Sequence, residues 1–346
     1  MKRCFILILA AALCLSGCGK QEKEASAQIF AMDTVMEITA FGPQAEKAVS
    51  ETESQIQELE KQLSRTLPDS DVSRINRNGT TPTTGIAAGT WALLEAALEY
   101  RDATDGAFDI TIAPVMDAWG FTGDSFRVPE QAELDALLRR VSSGEIQMQA
   151  ESTESVALGE GQAIDLGGIA KGYAGDAVRT VLAELNVTSA VIDLGGDVGL
   201  LGAKPDGSDW RVAVKDPADP SKFLGVLTAA DTFVVTSGIY ERGFEENGMR
   251  YHHIIDPKTG KPAESGLVSV TVVCGDGAWA DALSTACFVL GEAGSLALRD
   301  TLAAEKNLRI ELILVTDDGH VRYTAGLAER FEPSEEGTYV YEAIIA

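Results

Sequence analysis

Apolar and polar positions change period several times along the chain, and each change predicts a new element. Alternation over residues 28–41 predicts an opening strand. Apolar spacing of three and four over 44–63, with acids and glutamines between, predicts an amphipathic helix. Residues 64–84 are rich in turn formers, including Pro68, Asp69, Gly79 and Pro82. A helix is predicted over 90–104, with Trp91, Leu94 and Leu98 as its core stripe, followed by an aromatic, proline-containing loop over 106–121. Residues 129–141 predict another helix, 146–149 and 155–158 short strands, and 169–185 a helix entered through a glycine turn at 161–168. Further strands are expected at 190–194, 210–215, 223–228, 268–274 and 310–316, with a buried helix at 278–290. The strands are short and separated by glycine and proline turns. That pattern suggests a mixed α/β architecture with mixed or antiparallel pairing, not a nucleotide fold with regular crossovers.

The amino terminus follows different rules. Lys2 and Arg3 precede an apolar run over 4–15 that is too short to span a bilayer, so 1–17 reads as an export signal. Leu15-Ser16-Gly17-Cys18 resembles a bacterial lipoprotein cleavage box, which makes Cys18 the expected lipidated first residue. Residues 18–27 are then anchor and tether, and 28–346 the folded body, held outside the cytoplasmic membrane. The chain carries 28 Lys and Arg against 53 Asp and Glu, a formal charge of −25. Loss of Lys2 and Arg3 with the signal deepens that imbalance. Nucleic acid is therefore excluded as a partner, and an anionic nucleotide needs a metal ion or backbone donors to bind. Cys274 and Cys287 lie in apolar stretches and read as buried free thiols, and no Cys/His spacing supports structural zinc.

Two of only three histidines stand together in Tyr251-His252-His253-Ile254-Ile255-Asp256-Pro257-Lys258-Thr259-Gly260. The turn signals place them at a strand end or loop start, where they suit either proton transfer or a packed strand end. Ala163 to Tyr173 combines a strand-like entry, the Gly167-Gly168 turn and a helix start bearing Lys171. It is not a P-loop or dinucleotide fingerprint, and it suits phosphate contact or a tight structural turn. Asp193-Leu194-Gly195-Gly196-Asp197 repeats the glycine-rich strand exit, with Asp197 able to hold ribose, position a lysine or simply close a turn. Thr236 to Arg242 offers hydroxyls and a guanidinium for phosphate or flavin. Asp281 and Thr285, four residues apart on one helix face, suit a hard cation such as magnesium or ordinary helix capping.

In order along the chain, Met32-Asp33-Thr34, Ser64-Arg65, Pro68-Asp69-Ser70, Gly106-Ala107-Phe108-Asp109 and the segments above resemble the bacterial FAD:protein FMN transferases. These are also described as thiamine-biosynthesis-associated lipoproteins, and the resemblance runs from about residue 28 to 330. It implies two closely packed lobes with FAD between them. It also implies magnesium-dependent transfer of FMN from FAD to a threonine or serine hydroxyl, with release of AMP. FAD pyrophosphatase activity and non-catalytic flavin binding are the alternatives. His252 is the expected general base. Met32, Thr34, Asp109, Asp165, Lys171, Gly196, Asp197, Ser237, Gly238, Arg242, His253 and Asp256 are expected at the nucleotide. The Ala170 carbonyl, Asp281 and Thr285 are expected at magnesium. The implied partner is an exported or membrane-associated flavoprotein, such as an electron-transfer subunit, met where Cys18 tethers the enzyme to the lipid membrane. Two positions depart from the family pattern: Asp33 replaces a glycine, and Thr66-Leu67 replace an aromatic and an acid.

Overall fold

A computed structural model describes residues 23–123, 125–150 and 154–345. The signal, Cys18 and residues 19–22 of the expected tether lie outside the described residues. The tether ends earlier than expected, because residues 24–27 already belong to a strand, Glu24–Ala31.

The opening strand of the sequence pattern is in fact a hairpin. Glu24–Ala31 pairs antiparallel with Thr34–Phe41 across a two-residue turn at Met32 and Asp33. Both turn residues have positive φ, 50° and 59°, the geometry that keeps a tight hairpin in step with strand twist. The buried positions switch from odd (Ile29, Ala31) to even (Met36, Ile38, Ala40) across the turn, but Ile29 to Met32 is a continuous apolar run and neither turn residue is glycine, so the sequence does not mark the break.

The hairpin starts a nine-stranded sheet. Its order continues through Ser189–Asp193, Val198–Leu201, Thr232–Gly238, Leu267–Cys274, Ile310–Thr316, His320–Thr324 and Val340–Ile344. Every adjacent pair is antiparallel except the last, which is parallel. Helices α1 (Ala45–Leu63), α2 (Asp71–Asn78) and α3 (Ala88–Ala103) come first. α4 (Ala113–Trp119) and α5 (Gln131–Leu138) follow, then α6 (Ala170–Glu184) and α7 (Gly277–Lys306). α2 lies within the turn-rich stretch, started by Ser70 accepting from the Ser73 N–H. α4 and the short helix Ile110–Ile112 before it occupy most of the expected loop at 106–121, with Pro114 in the first turn of α4, where the missing N–H costs nothing. α7 outlasts the expected 278–290 helix, breaking at Gly291 (φ 70°) and resuming to Lys306.

The main core forms where one sheet face meets α1, α3, α6 and α7, around residues such as Ile38, Ile56, Leu94 and Phe288. The opposite face packs on a three-stranded sheet ordered Phe331–Pro333, Phe223–Ala229, Trp210–Lys215. A third cluster joins α4 and α5 to Ile255, with Phe244 and Tyr251 of the hairpin Gly243–Glu246/Met249–His252 against it. Cys274 and Cys287 are buried free thiols.

Candidate active site

The first cavity, of about 450 Å³, collects groups from segments far apart in sequence. This is within the usual range for small-molecule sites, roughly 300–1,000 Å³. One side is built where α6 and α7 cross. A Cβ on Gly172 would lie 2.1 Å from the Gly277 carbonyl oxygen, so only glycine permits this approach. The two helices cap each other: Asp281 of α7 accepts from the Gly172 N–H at 3.0 Å, and Asp176 of α6 accepts from the Ala278 N–H at 2.9 Å. Asp276 supplies the cap of α7 itself, accepting from the Trp279 N–H at 2.9 Å. Asp281 thus caps a neighbouring helix, a role between the two that its spacing suggests.

Asp281 is buried, and burial followed by the nearby Asp197 carboxylate raises its pKa, against the pull of Lys171. Lys171 donates to Asp197. Burial opposes the ammonium charge, yet Asp197 and Asp281 outweigh it and hold the lysine pKa above its ordinary value. Two buried carboxylates therefore face one ammonium. Thr285, one turn beyond Asp281, lines the same wall, beside Gly168, whose absent Cβ would sit 3.7 Å from its hydroxyl. The surplus of negative charge and hard oxygen donors fits a hard dication. Among the described residues, no group of three or more His, Cys, Asp and Glu side chains forms a metal cage. Any such ion must complete its shell with water, backbone or phosphate oxygen.

The opposite side comes from the loop after the hairpin. His253 lines the cavity; His252 does not. Adjacent side chains point opposite ways, as an extended segment requires, but the sense is the reverse of the sequence expectation. His252 packs edge-on against Phe288, 5.4 Å between ring centres, with Nδ1 buried and unpartnered. His253 Nδ1 lies 3.2 Å from the Arg242 carbonyl oxygen. A carbonyl only accepts, so Nδ1 carries the proton and Nε2 keeps the lone pair. Burial, only partly offset by that carbonyl bond, lowers the His253 pKa to about 4, leaving the ring neutral near pH 7. Trp119 holds this loop from beneath by donating to the Gly260 carbonyl at 2.7 Å, and Arg242 is held by donating to the Phe121 carbonyl at 2.7 Å.

Other expected residues divide clearly. Met32, Thr34, Asp109, Asp165, Ser237 and Arg242 line the cavity. Asp109 also caps the short helix Ile110–Ile112, accepting from both the N–H and the hydroxyl of Thr111. Gly196, Gly238, Asp256 and Ala170 lie outside the lining. Gly196 donates to Asp193, Gly238 has the Tyr240 ring against it, and Asp256 shapes its turn by accepting from the Lys258 N–H at 2.8 Å. Ala170 opens α6, next to Lys171. The sequence reading missed Arg65 and Glu241 as site residues. Arg65 donates to Asp165 at 3.2 Å and Asp117 at 2.8 Å, tying the Asp165 turn to α4. The Ser64-Arg65 pair was a visible signal for it; Glu241 had none beyond its neighbours. Asp33 and Thr66, both departures from the family pattern, line the cavity too.

The sequence pattern of the ApbE family matches residues 32–308. This chain belongs to the ApbE family. It is 31% identical over 338 residues to the FAD:protein FMN transferase of Vibrio cholerae, covering 95% of this chain and 99% of that protein. The Klebsiella pneumoniae FAD:protein FMN transferase is 36% identical over 292 residues, 83% of this chain and 88% of that one. Among solved structures, the ApbE protein of Thermotoga maritima superposes with a TM-score of 0.78 at 32% identity, covering 90% of this chain and 97% of the other. The apo flavinyl transferase ApbE of Pseudomonas stutzeri gives 0.73 at 30% identity, over 85% and 92%.

Proposed function

We propose that this ApbE-family chain transfers FMN from FAD to a threonine or serine hydroxyl of an exported or membrane-associated flavoprotein, releasing AMP. The observation that carries this reading is the meeting of Lys171, the Asp281–Thr285 pair and the neutral His253 in one cavity. FAD lies between two lobes, the sheet-and-helix body and the α4–α5 cluster, with its pyrophosphate beside Lys171 and the start of α6. His253, in place of His252, accepts the hydroxyl proton at Nε2. The acceptor oxygen then bonds to the FMN phosphorus as the bond from that phosphorus to the bridging oxygen breaks, and AMP leaves with the electron pair. Asp281 and Thr285, with the Ala170 carbonyl, would hold magnesium. When bound, the ion offsets pyrophosphate charge and helps the leaving group depart. Lys171 keeps Asp197 paired and offers its remaining donors to phosphate.

Cys18 carries the lipid anchor, and with the first strand starting at Glu24 the tether is short enough to hold the enzyme beside membrane-bound acceptors. An electron-transfer subunit fits that setting. Incubation with FAD, magnesium and an acceptor protein should add one FMN per acceptor and release one AMP. Mostly free FMN at saturating acceptor would instead mark a pyrophosphatase. FAD retained without AMP release would mark a binding protein.

A further inference from the structure

We infer that the acceptor polypeptide docks as an added β-strand along Trp210–Lys215, in a second cavity that opens into the first; this rests on the transferase reading above. The second cavity measures about 600 Å³. Its two walls differ in pattern. From the central sheet it takes alternate residues, Val191 and Asp193, Val198 and Leu200, Val234 and Thr236, as a sheet face presents them. From Trp210–Lys215 it takes every consecutive residue. A strand that shows all its residues to one space is presenting its edge.

That edge is open. Among the described residues, Trp210–Lys215 is the terminal strand of its three-stranded sheet and pairs only with Phe223–Ala229. It has no proline, and Arg211, Ala213 and Lys215 are exposed. An unblocked edge of this length is a template for main-chain pairing, which proteins otherwise avoid leaving bare. Gly195, Thr236 and Glu241 line both cavities, and Lys215 lies near enough to Glu241 to oppose slightly the burial that raises its pKa, which places the Lys215 end at the junction. A six-residue strand spans about 20 Å. An extended segment laid along the edge therefore delivers the residue just past its end into the site of transfer. Its alternate side chains face Val191, Leu200 and Val234, so the expected ligand is an extended segment with small or apolar residues at alternate positions, flanking the reactive hydroxyl.

The test uses the full chain loaded with FAD and magnesium, and a short fluorescent peptide with one threonine, taken from the flavinylated site of a protein that the Vibrio cholerae relative modifies. Each residue of the peptide is N-methylated in turn. Binding is read by anisotropy, and transfer by mass. Strand addition requires alternate N-methyl groups to weaken binding about five-fold each, with little effect at positions between them. Val212→Trp, whose side chain packs toward Val191 and Val198 and so fills the second cavity, should raise the peptide Kd and KM ten-fold or more while FAD affinity holds. Absence of a two-residue period would overturn the inference, as would Val212→Trp weakening FAD and leaving the peptide unaffected. Periodic binding with no transfer would refute the transferase reading alone, and transfer without periodicity the docking surface alone. Loss of both in the unaltered protein would refute the two together.

Discussion

At the scale of single residues, the site depends on where backbone and burial force side chains to go. Asp33 occupies a positive-φ turn position and lines the cavity, so it brings strain and a negative charge to the nucleotide. Asp33→Gly is expected to stabilise the fold by up to about 1 kcal/mol, since glycine adopts this conformation without a Cβ penalty. Both Asp33→Gly and Asp33→Asn should tighten FAD binding in a fluorescence titration, and equal gains would assign the effect to charge alone. His253 sets the pH response. Its pKa of about 4 lies below the ordinary 6.5, so the base stays competent down to acid pH. At saturating magnesium, the pH profile of kcat/KM should show no histidine limb between 6 and 7, the histidine loss coming only toward 4 as the ring gains its proton. Stability follows the same sign for His252, also lowered to about 4 by burial. Its contribution is full above 6.5, declines as pH falls, and is gone below about 4. Urea unfolding at pH 7.5 and 4.5 measures that loss. The histidine pair was visible in sequence, but which ring faces the cavity depends on the register of the Gly243–His252 ladder, which alternation alone does not set.

At the scale of elements, the reciprocal caps of α6 and α7 align Asp281 with Lys171. Gly172→Ala would drive a methyl into the Gly277 carbonyl, which is backbone and cannot swing aside. A loss of about 2–3 kcal/mol is expected, with magnesium demand rising in parallel as Asp281 moves. Asp176→Ala should cost about 1 kcal/mol by uncapping α7, and it tests whether the crossing as a whole positions the site. Long elements were legible because their periodicity spans several turns: α1, α3, α6 and the first half of α7 stand close to where the pattern put them. The hairpin turn at Met32-Asp33 was hidden because it lacks the usual Asn-Gly or Asp-Gly chemistry. α4 was hidden because Pro114 and the aromatics around it resemble a loop until Pro is recognised as a first-turn residue. Thr232–Gly238, central to the sheet, was also missed; buried on both faces, it lacks the alternation that marks a half-exposed strand.

At the scale of the whole molecule, a strongly acidic chain gathers Arg65, Lys171 and Arg242 at one cavity, the proposed place of the nucleotide. Burial and the neighbouring Asp197 raise the Asp281 pKa against the pull of Lys171, so the proposed magnesium would compete with a proton at that carboxylate. Apparent magnesium affinity should therefore increase with pH above the ordinary carboxylate range, with proton release on binding; Asp281→Asn should abolish both, as seen by calorimetry in two buffers. Cys18→Ser should move the protein from the membrane to the soluble fraction while leaving transfer to a soluble peptide intact. The resemblance read from ordered motifs gave the family and the cavity's main residues, while the second cavity depends on strand order that no local motif encodes. The most direct measurement is single-turnover mass analysis of the acceptor, with FAD and magnesium, for the unaltered protein, His253→Asn and His252→Asn. We expect one FMN per acceptor with matching AMP from the unaltered protein, a loss of at least a hundred-fold for His253→Asn, and retained transfer by folded His252→Asn. Full transfer by His253→Asn, with loss confined to His252→Asn, would contradict the account.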